Sequence, residues 1–152
     1  MAWPTIREGL ISGDREGLAL GLGAIVGDPT ALSLIFQIGD HDVLQVSYGW
    51  GFEEEHRARM TATVDYCYRF VWLYPESSRL GVLTPYLGVG LKIGLASGAE
   101  DPIAVGLRIP VGLAFAIKHV PGEVYFETAM GTRFFPNGLP TFDGGAGARL
   151  FF

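Results

Sequence analysis

The sequence predicts an all-β protein, an eight-stranded antiparallel up-and-down barrel of the transmembrane kind, spanning residues 17–152 behind an N-terminal segment, 1–16. Three observations predict it. Long segments alternate large apolar residues with small or polar ones; "IAVGLRIPVGLAFAI" (103–117) does so over fifteen residues. That period of two belongs to strands, whose side chains point to opposite faces. The 22 glycines cut the apolar sequence every few residues, and no window approaches the roughly eighteen uninterrupted apolar residues of a membrane helix. The alternating segments are joined mostly by short, turn-forming links, which make sequential strands antiparallel neighbours; an even set can close and leave no edge.

In chain order, "GLALGLGAIV" sets Leu18, Leu20, Leu22, Ala24 and Val26 against Ala19, Gly21 and Gly23. "GDPT" then turns, with Asp supplying local hydrogen bonds and Pro a preset φ. "ALSLIFQI" opposes Leu32, Leu34, Phe36 and Ile38 to Ser33, Ile35 and Gln37, and "GDHD" is the next turn. "VLQVSYGWGF" opposes Leu44, Val46, Tyr48, Trp50 and Phe52 to Gln45, Ser47, Gly49 and Gly51. After the acidic loop "EEEH", "RARMTATVDYCYRF" carries Met60, Ala62, Val64, Tyr66, Tyr68 and Phe70 on one face; Arg59, Thr61, Thr63, Asp65, Cys67 and Arg69 occupy the other. A longer connection leads to "LTPYLGVGLKIGL", where Leu87, Val89, Leu91, Ile93 and Leu95 oppose Tyr86, Gly88, Gly90, Lys92 and Gly94. "ASGAEDP" precedes the 103–117 segment, in which Pro110 marks a bulge or an unpaired ladder position. "KHVPG" turns into "EVYFETAMG", with Val124, Phe126 and Met130 against Glu123, Tyr125, Glu127 and Ala129. "TRFFPNGLPT" reads as the last loop before "FDGGAGARLFF", where Phe142, Ala146, Ala148, Leu150 and Phe152 oppose Asp143, Gly145, Gly147 and Arg149.

Which face lies inside follows from sterics and charge. With the aliphatic face inward, as in a soluble barrel holding a lipid or other apolar ligand, the water-facing side would be mostly glycine, which weakens a strand for no gain. An eight-stranded interior is only just wide enough for side chains. Glycine and alanine with a few long polar residues fill it; bulky aliphatics on every strand do not. Arg59, Asp65, Arg69, Lys92, Arg108 and Glu127 lie within strands. Turned to lipid, each basic residue near the midplane would cost about 2–4 kcal/mol, so the four of them would cost about as much as a domain's whole stability. Turned inward, these groups and Arg149 can pair as a lumenal charge network. The aliphatic face is therefore predicted to face lipid. About ten tilted residues span the roughly 25 Å apolar band of such a barrel. Aromatics gathering at strand ends, Tyr48, Trp50, Tyr66, Tyr68, Trp72 and Phe152 among them, form the expected interfacial girdle.

The segments "GLGAIVGDPTALSLIF", "PYLGVGLKIG", "GLRIPVGLAFAI" and "FDGGAGARLFF", in this order and spacing, resemble the small eight-stranded outer-membrane barrels of diderm bacteria, the OmpA/OmpX-like superfamily. The resemblance covers residues 17–152 and implies a bacterial outer-membrane location with both termini in the periplasm. "GDPT", "EEEH", "ASGAEDP" and "TRFFPNGLPT" would then lie outside, and "GDHD", "WLYPESSRLG" and "KHVPG" inside. Terminal Phe152, with Leu150 and Ala148 on its face, resembles the C-terminal signal read by the barrel-assembly machinery. "MAWPTIREGLISGDRE" lacks a basic n-region and an apolar h-region, so export implies a signal peptide already removed.

The net charge of −5 and the absence of a basic patch interleaved with aromatics argue against nucleic acid as a partner. The single Cys67 excludes an internal disulfide and reads as a filler of the lumen. His41, His56 and His119 lie in or beside turns with no serine placed to form a triad, "EEEH" reads as a solvated loop, and neither metal nor cofactor is expected. The expected function is non-enzymatic: an integral outer-membrane barrel with a filled, charged lumen, in contact with outer-membrane lipid, structural or anchoring a periplasmic or envelope protein. A soluble lipid carrier, a narrow pore and a lipid-modifying enzyme are the alternatives.

Overall fold

The alternating segments are strands in the computed structural model of the protein, which describes residues 20–39, 41–52, 58–70, 81–95, 103–117, 121–135 and 138–152. The strands are β1 (Leu20–Asp28), β2 (Thr30–Gln37), β3 (Asp42–Phe52), β4 (Ala58–Arg69), β5 (Gly81–Leu95), β6 (Ile103–Ile117), β7 (Gly122–Phe135) and β8 (Leu139–Phe151). Each pairs antiparallel with the next, and β8 pairs with β1, closing the barrel. The end where β1 begins and β8 finishes is called here the near end; the β1–β2, β3–β4, β5–β6 and β7–β8 connections lie at the far end. The segment 1–16 and the loops "EEEH", "WLYPESSRLG" and "ASGAEDP" fall wholly or mostly outside the described residues.

The register fixes the barrel's shape. Following partners around the wall from Leu22 leads through Leu34, Val46, Val64, Leu91, Leu107 and Thr132 to Pro140, yet Leu22 itself pairs with Leu150. Pro140 and Leu150 are ten residues apart, which is the shear of the barrel. With strands about 4.8 Å apart and a rise of about 3.3 Å per residue, eight strands and that shear give a tilt of about 41° and a backbone radius of about 8 Å. Such a cylinder has room for side chains and little else.

The wall is two-faced as the alternation requires. Leu91, Leu107, Phe126, Phe142 and Leu150 point out, while Ser33, Asp65 and Cys67 are fully buried within. Tight coiling brings some backbones so close that only glycine fits. A Cβ at Gly131 would sit 2.0 Å from the Leu107 carbonyl oxygen, and one at Gly49 2.0 Å from that of Thr30. The glycine of the inner face therefore serves close strand approach as much as interior volume.

Two details differ from the sequence reading and one refines it. Most of "TRFFPNGLPT" is strand: β7 runs on to Phe135 and β8 starts at Leu139. A bulge lies between β6 and β7, where the register shifts at Val105/Gly106 and Phe134 is the extra residue; Pro110 itself stands at an unpaired position of the β5–β6 ladder, one of the two alternatives expected for it. On the β7 side Pro110 keeps its register with Ala129. The interior also holds more than small and polar residues. Ile25, Ile35, Val43, Cys67, Tyr86, Ala114, Tyr125 and Phe151 form a buried apolar cluster there, concentrated toward the near end.

Candidate functional site

The inward face carries an ionic network threaded along the barrel axis. Nearest the near end, Arg69 from the last residue of β4 grips Glu123 from the start of β7 with two parallel bonds, Nη1 to Oε2 at 2.9 Å and Nη2 to Oε1 at 2.8 Å. Arg149 of β8 donates to the same carboxylate, Nη1 to Oε1 at 2.8 Å. Its guanidinium lies 3.6 Å above the Tyr125 ring, a buried cation–π contact. Arg149 also donates from Nε to Ser33 Oγ at 3.3 Å and from Nη2 to Gln45 Oε1 at 2.6 Å.

Gln45 links this group to the next. Its Nε2 donates to Glu127 Oε2 at 2.9 Å, and Tyr86 Oη donates to the same oxygen at 2.7 Å. Arg108 of β6 donates from Nη2 to Glu127 Oε1 at 2.6 Å and places Nη1 3.4 Å from Asp65 Oδ2. Toward the far end, Lys92 Nζ donates to Asp143 Oδ1 at 2.7 Å.

Electrostatics explains the order of these contacts. Arg69 and Arg149 share one carboxylate, an excess of one positive charge; Arg108 serves two carboxylates, an excess of one negative charge. The Gln45 amide sits between them with its N–H toward the anionic group and its oxygen toward the cationic one. Within the described ion pairs Arg69, Lys92, Arg108 and Arg149 thus face Glu123, Glu127, Asp65 and Asp143, four against four. Uncompensated charge in a low-dielectric interior would be prohibitive, and paired charge is tolerable.

Of the residues predicted for the network, Asp65, Arg69, Lys92, Arg108, Glu127 and Arg149 are brought together in this way; the side chain of Arg59 lies outside the described residues. The reading passed over Glu123, Asp143, Gln45, Tyr86 and Ser33. All sit on the inward parity of their strands. Glu123 and Asp143 stand beside predicted turns, where a charge is ordinarily solvated, and no feature of Gln45 or Ser33 marks them in the sequence.

Of the predicted girdle, Tyr48, Trp50, Tyr66, Tyr68 and Phe152 are exposed on the outward face; Trp72 lies outside the described residues. His41 stacks on Tyr68 with ring centroids 5.4 Å apart, and His56 and His119 lie outside the described residues. Among the described residues no three His, Cys, Asp or Glu side chains converge as a metal site. The described residues enclose two cavities of about 10 Å³ each. One touches Ser47, Arg108, Glu127 and Asp143, the other Lys92 and Arg133. Each has room for about one water.

No protein-family model and no curated sequence matches the chain. Two solved structures share its architecture. The N-terminal β-barrel domain of OprF from Pseudomonas aeruginosa superimposes with a TM-score of 0.61 at 16% identity, over 89% of this chain and 96% of that one. Neisserial surface protein A, NspA, gives a TM-score of 0.53 at 12% identity, over 89% of this chain and 94% of its own. Both are eight-stranded outer-membrane barrels, and the closed eight-stranded antiparallel barrel is the fold of this chain.

Proposed function

We propose that the protein is a non-enzymatic integral barrel of the bacterial outer membrane, its interior a fixed ionic plug, with a structural or partner-anchoring role in the envelope. The observation that carries this reading is the inversion of polarity across the wall. Every described strand turns apolar side chains outward, with Phe142 at 76% and Phe126 at 67% exposure, while Asp65, Arg69 and Arg149 are at most 2% exposed. In water, an outward apolar surface continuous around the barrel is far larger than the patches soluble monomers carry. In lipid it is the required surface, and a closed barrel leaves no strand unpaired around its waist. A plug rather than a pore is favoured by side chains bonded from strand to strand across the lumen. Phe152, 74% exposed beside Leu150, is available to an assembly machinery that reads the last strand.

Refolding from urea with and without detergent micelles, followed by electrophoresis of boiled and unboiled samples, tests the membrane reading. Micelle-dependent folding with a heat-sensitive mobility shift is expected. A monomer that folds fully in buffer alone would overturn it and make the protein a soluble barrel.

A further inference from the structure

The outward face carries a polar cluster at the near end that neither the plug nor the fold requires. Asp42, the first residue of β3, points outward among lipid-facing residues: it pairs across the wall with Tyr68, and Tyr68 in turn with Leu87. Tyr66 Oη donates a hydrogen bond to Asp42 Oδ1, while Oδ2 takes no hydrogen bond among the described residues. Beside the carboxylate the rings are ordered into a stack. His41 lies on Tyr68 at 5.4 Å with planes 28° apart, and Phe70 meets Tyr68 edge-on at 5.1 Å. Ile38, 52% exposed, and Leu87, 45% exposed, flank the cluster with aliphatic surface.

A carboxylate on a lipid-facing surface is costly unless its charge is met. Here the donor that meets it is a neutral phenol, so a full negative charge remains at the boundary of the apolar band. Aromatic faces next to an anion are the surroundings that suit an organic cation, attracted by the ring quadrupoles as well as by the carboxylate. Aliphatic side chains alongside suit acyl chains. Charge complementarity and the amphipathic layout therefore select one occupant.

We propose that Asp42, Tyr66, Tyr68 and His41 form a binding site for the primary ammonium headgroup of an aminophospholipid, with its acyl chains lying over Ile38 and Leu87. The site rests on the membrane-spanning reading above. The ammonium donates to Asp42 Oδ2 and sits against the Tyr68 ring, and the Tyr66 hydroxyl holds the carboxylate in place.

The test is native mass spectrometry of the full chain released from micelles containing equal amounts of phosphatidylethanolamine and phosphatidylglycerol with the same acyl chains. The parent is expected to retain the ethanolamine lipid about two- to five-fold over the glycerol lipid, the range of one partly exposed cation–π and carboxylate contact. D42N is expected to retain the two equally, and D28N, which alters a carboxylate at the other end of the wall, to behave as the parent. Equal retention by the parent, or an undiminished preference in D42N, would overturn the proposal. Should D42N lose the heat-sensitive mobility shift, Tyr68→Leu carries the test with the same two outcomes. A parent that shows no such shift fails the membrane reading itself, which separates the two failures.

Discussion

Arg149 touches three other strands from the near end of the lumen: Ser33 on β2, Gln45 on β3 and Glu123 on β7. Residues of this kind are worth little as net stabilisers and a great deal once half removed, because the partner left behind is a buried unpaired charge. R108L leaves Glu127 and Asp65 without their cation and is expected to cost about 3–5 kcal/mol, read as a lower urea midpoint in micelles. Replacing Arg108 and Asp65 together with leucine, which removes one charge of each sign, is expected to be less harmful than R108L alone. An R108L protein as resistant as the parent would refute the plug. Q45L removes two hydrogen bonds to charged partners, which keep their ion pairs with Glu123 and Arg108, so a loss of about 2–4 kcal/mol is expected in the same measurement. At this scale the sequence was partly legible. Parity placed the charges on the inner face, since every second residue shares it. Which anion meets which cation was not legible, because partners such as Arg149 and Gln45 come from strands far apart in the chain.

At the scale of the element, β6 is legible to the residue: Ile103–Ile117 is both the alternating segment and the strand. The β7–β8 hairpin was not, because Phe134 and Phe135 follow one another and break the period, and a bulge is what accommodates them. Turn-forming residues at 136–138 then made the whole stretch resemble a loop. The glycines divide in a way that composition hides. G131A puts a methyl group against the Leu107 carbonyl and is expected to cost about 1–3 kcal/mol and lower the refolding yield. At Gly138 the nearest heavy atom to an added Cβ is 4.0 Å away, so G138A is expected to fold as the parent does. The wall is also uneven in height. β1 ends at Asp28, opposite Gly144, so Leu139–Asp143 of β8 continue past it with no partner on that side among the described residues. Pro140 sits in that free edge, where a residue without an N–H discourages strand addition.

For the whole molecule, the expected electrical behaviour is silence. With side chains from β2, β3, β4, β6, β7 and β8 bonded across the lumen, planar bilayers containing the protein at neutral pH should show no discrete conductance steps. Steps in the parent that persist in Q45L would favour the narrow-pore alternative. The fold class was legible because alternation, glycine frequency and turn spacing are local properties of the chain; the shear was not, because it is a sum around a closed ring.

That sum gives the ionic interior a further significance. Side chains alternate between the two faces, so sliding any strand by two residues against its neighbour would keep each side chain on the face it already occupies. Solvation therefore cannot distinguish a shear of ten from eight or twelve, though the diameter would differ in each case. The contacts that detect the slip are those spanning the lumen, since Arg149 can reach Ser33, Gln45 and Glu123 together only in one alignment. The buried charges act as a gauge of circumference: the lipid selects a barrel, and the salt bridges select its calibre.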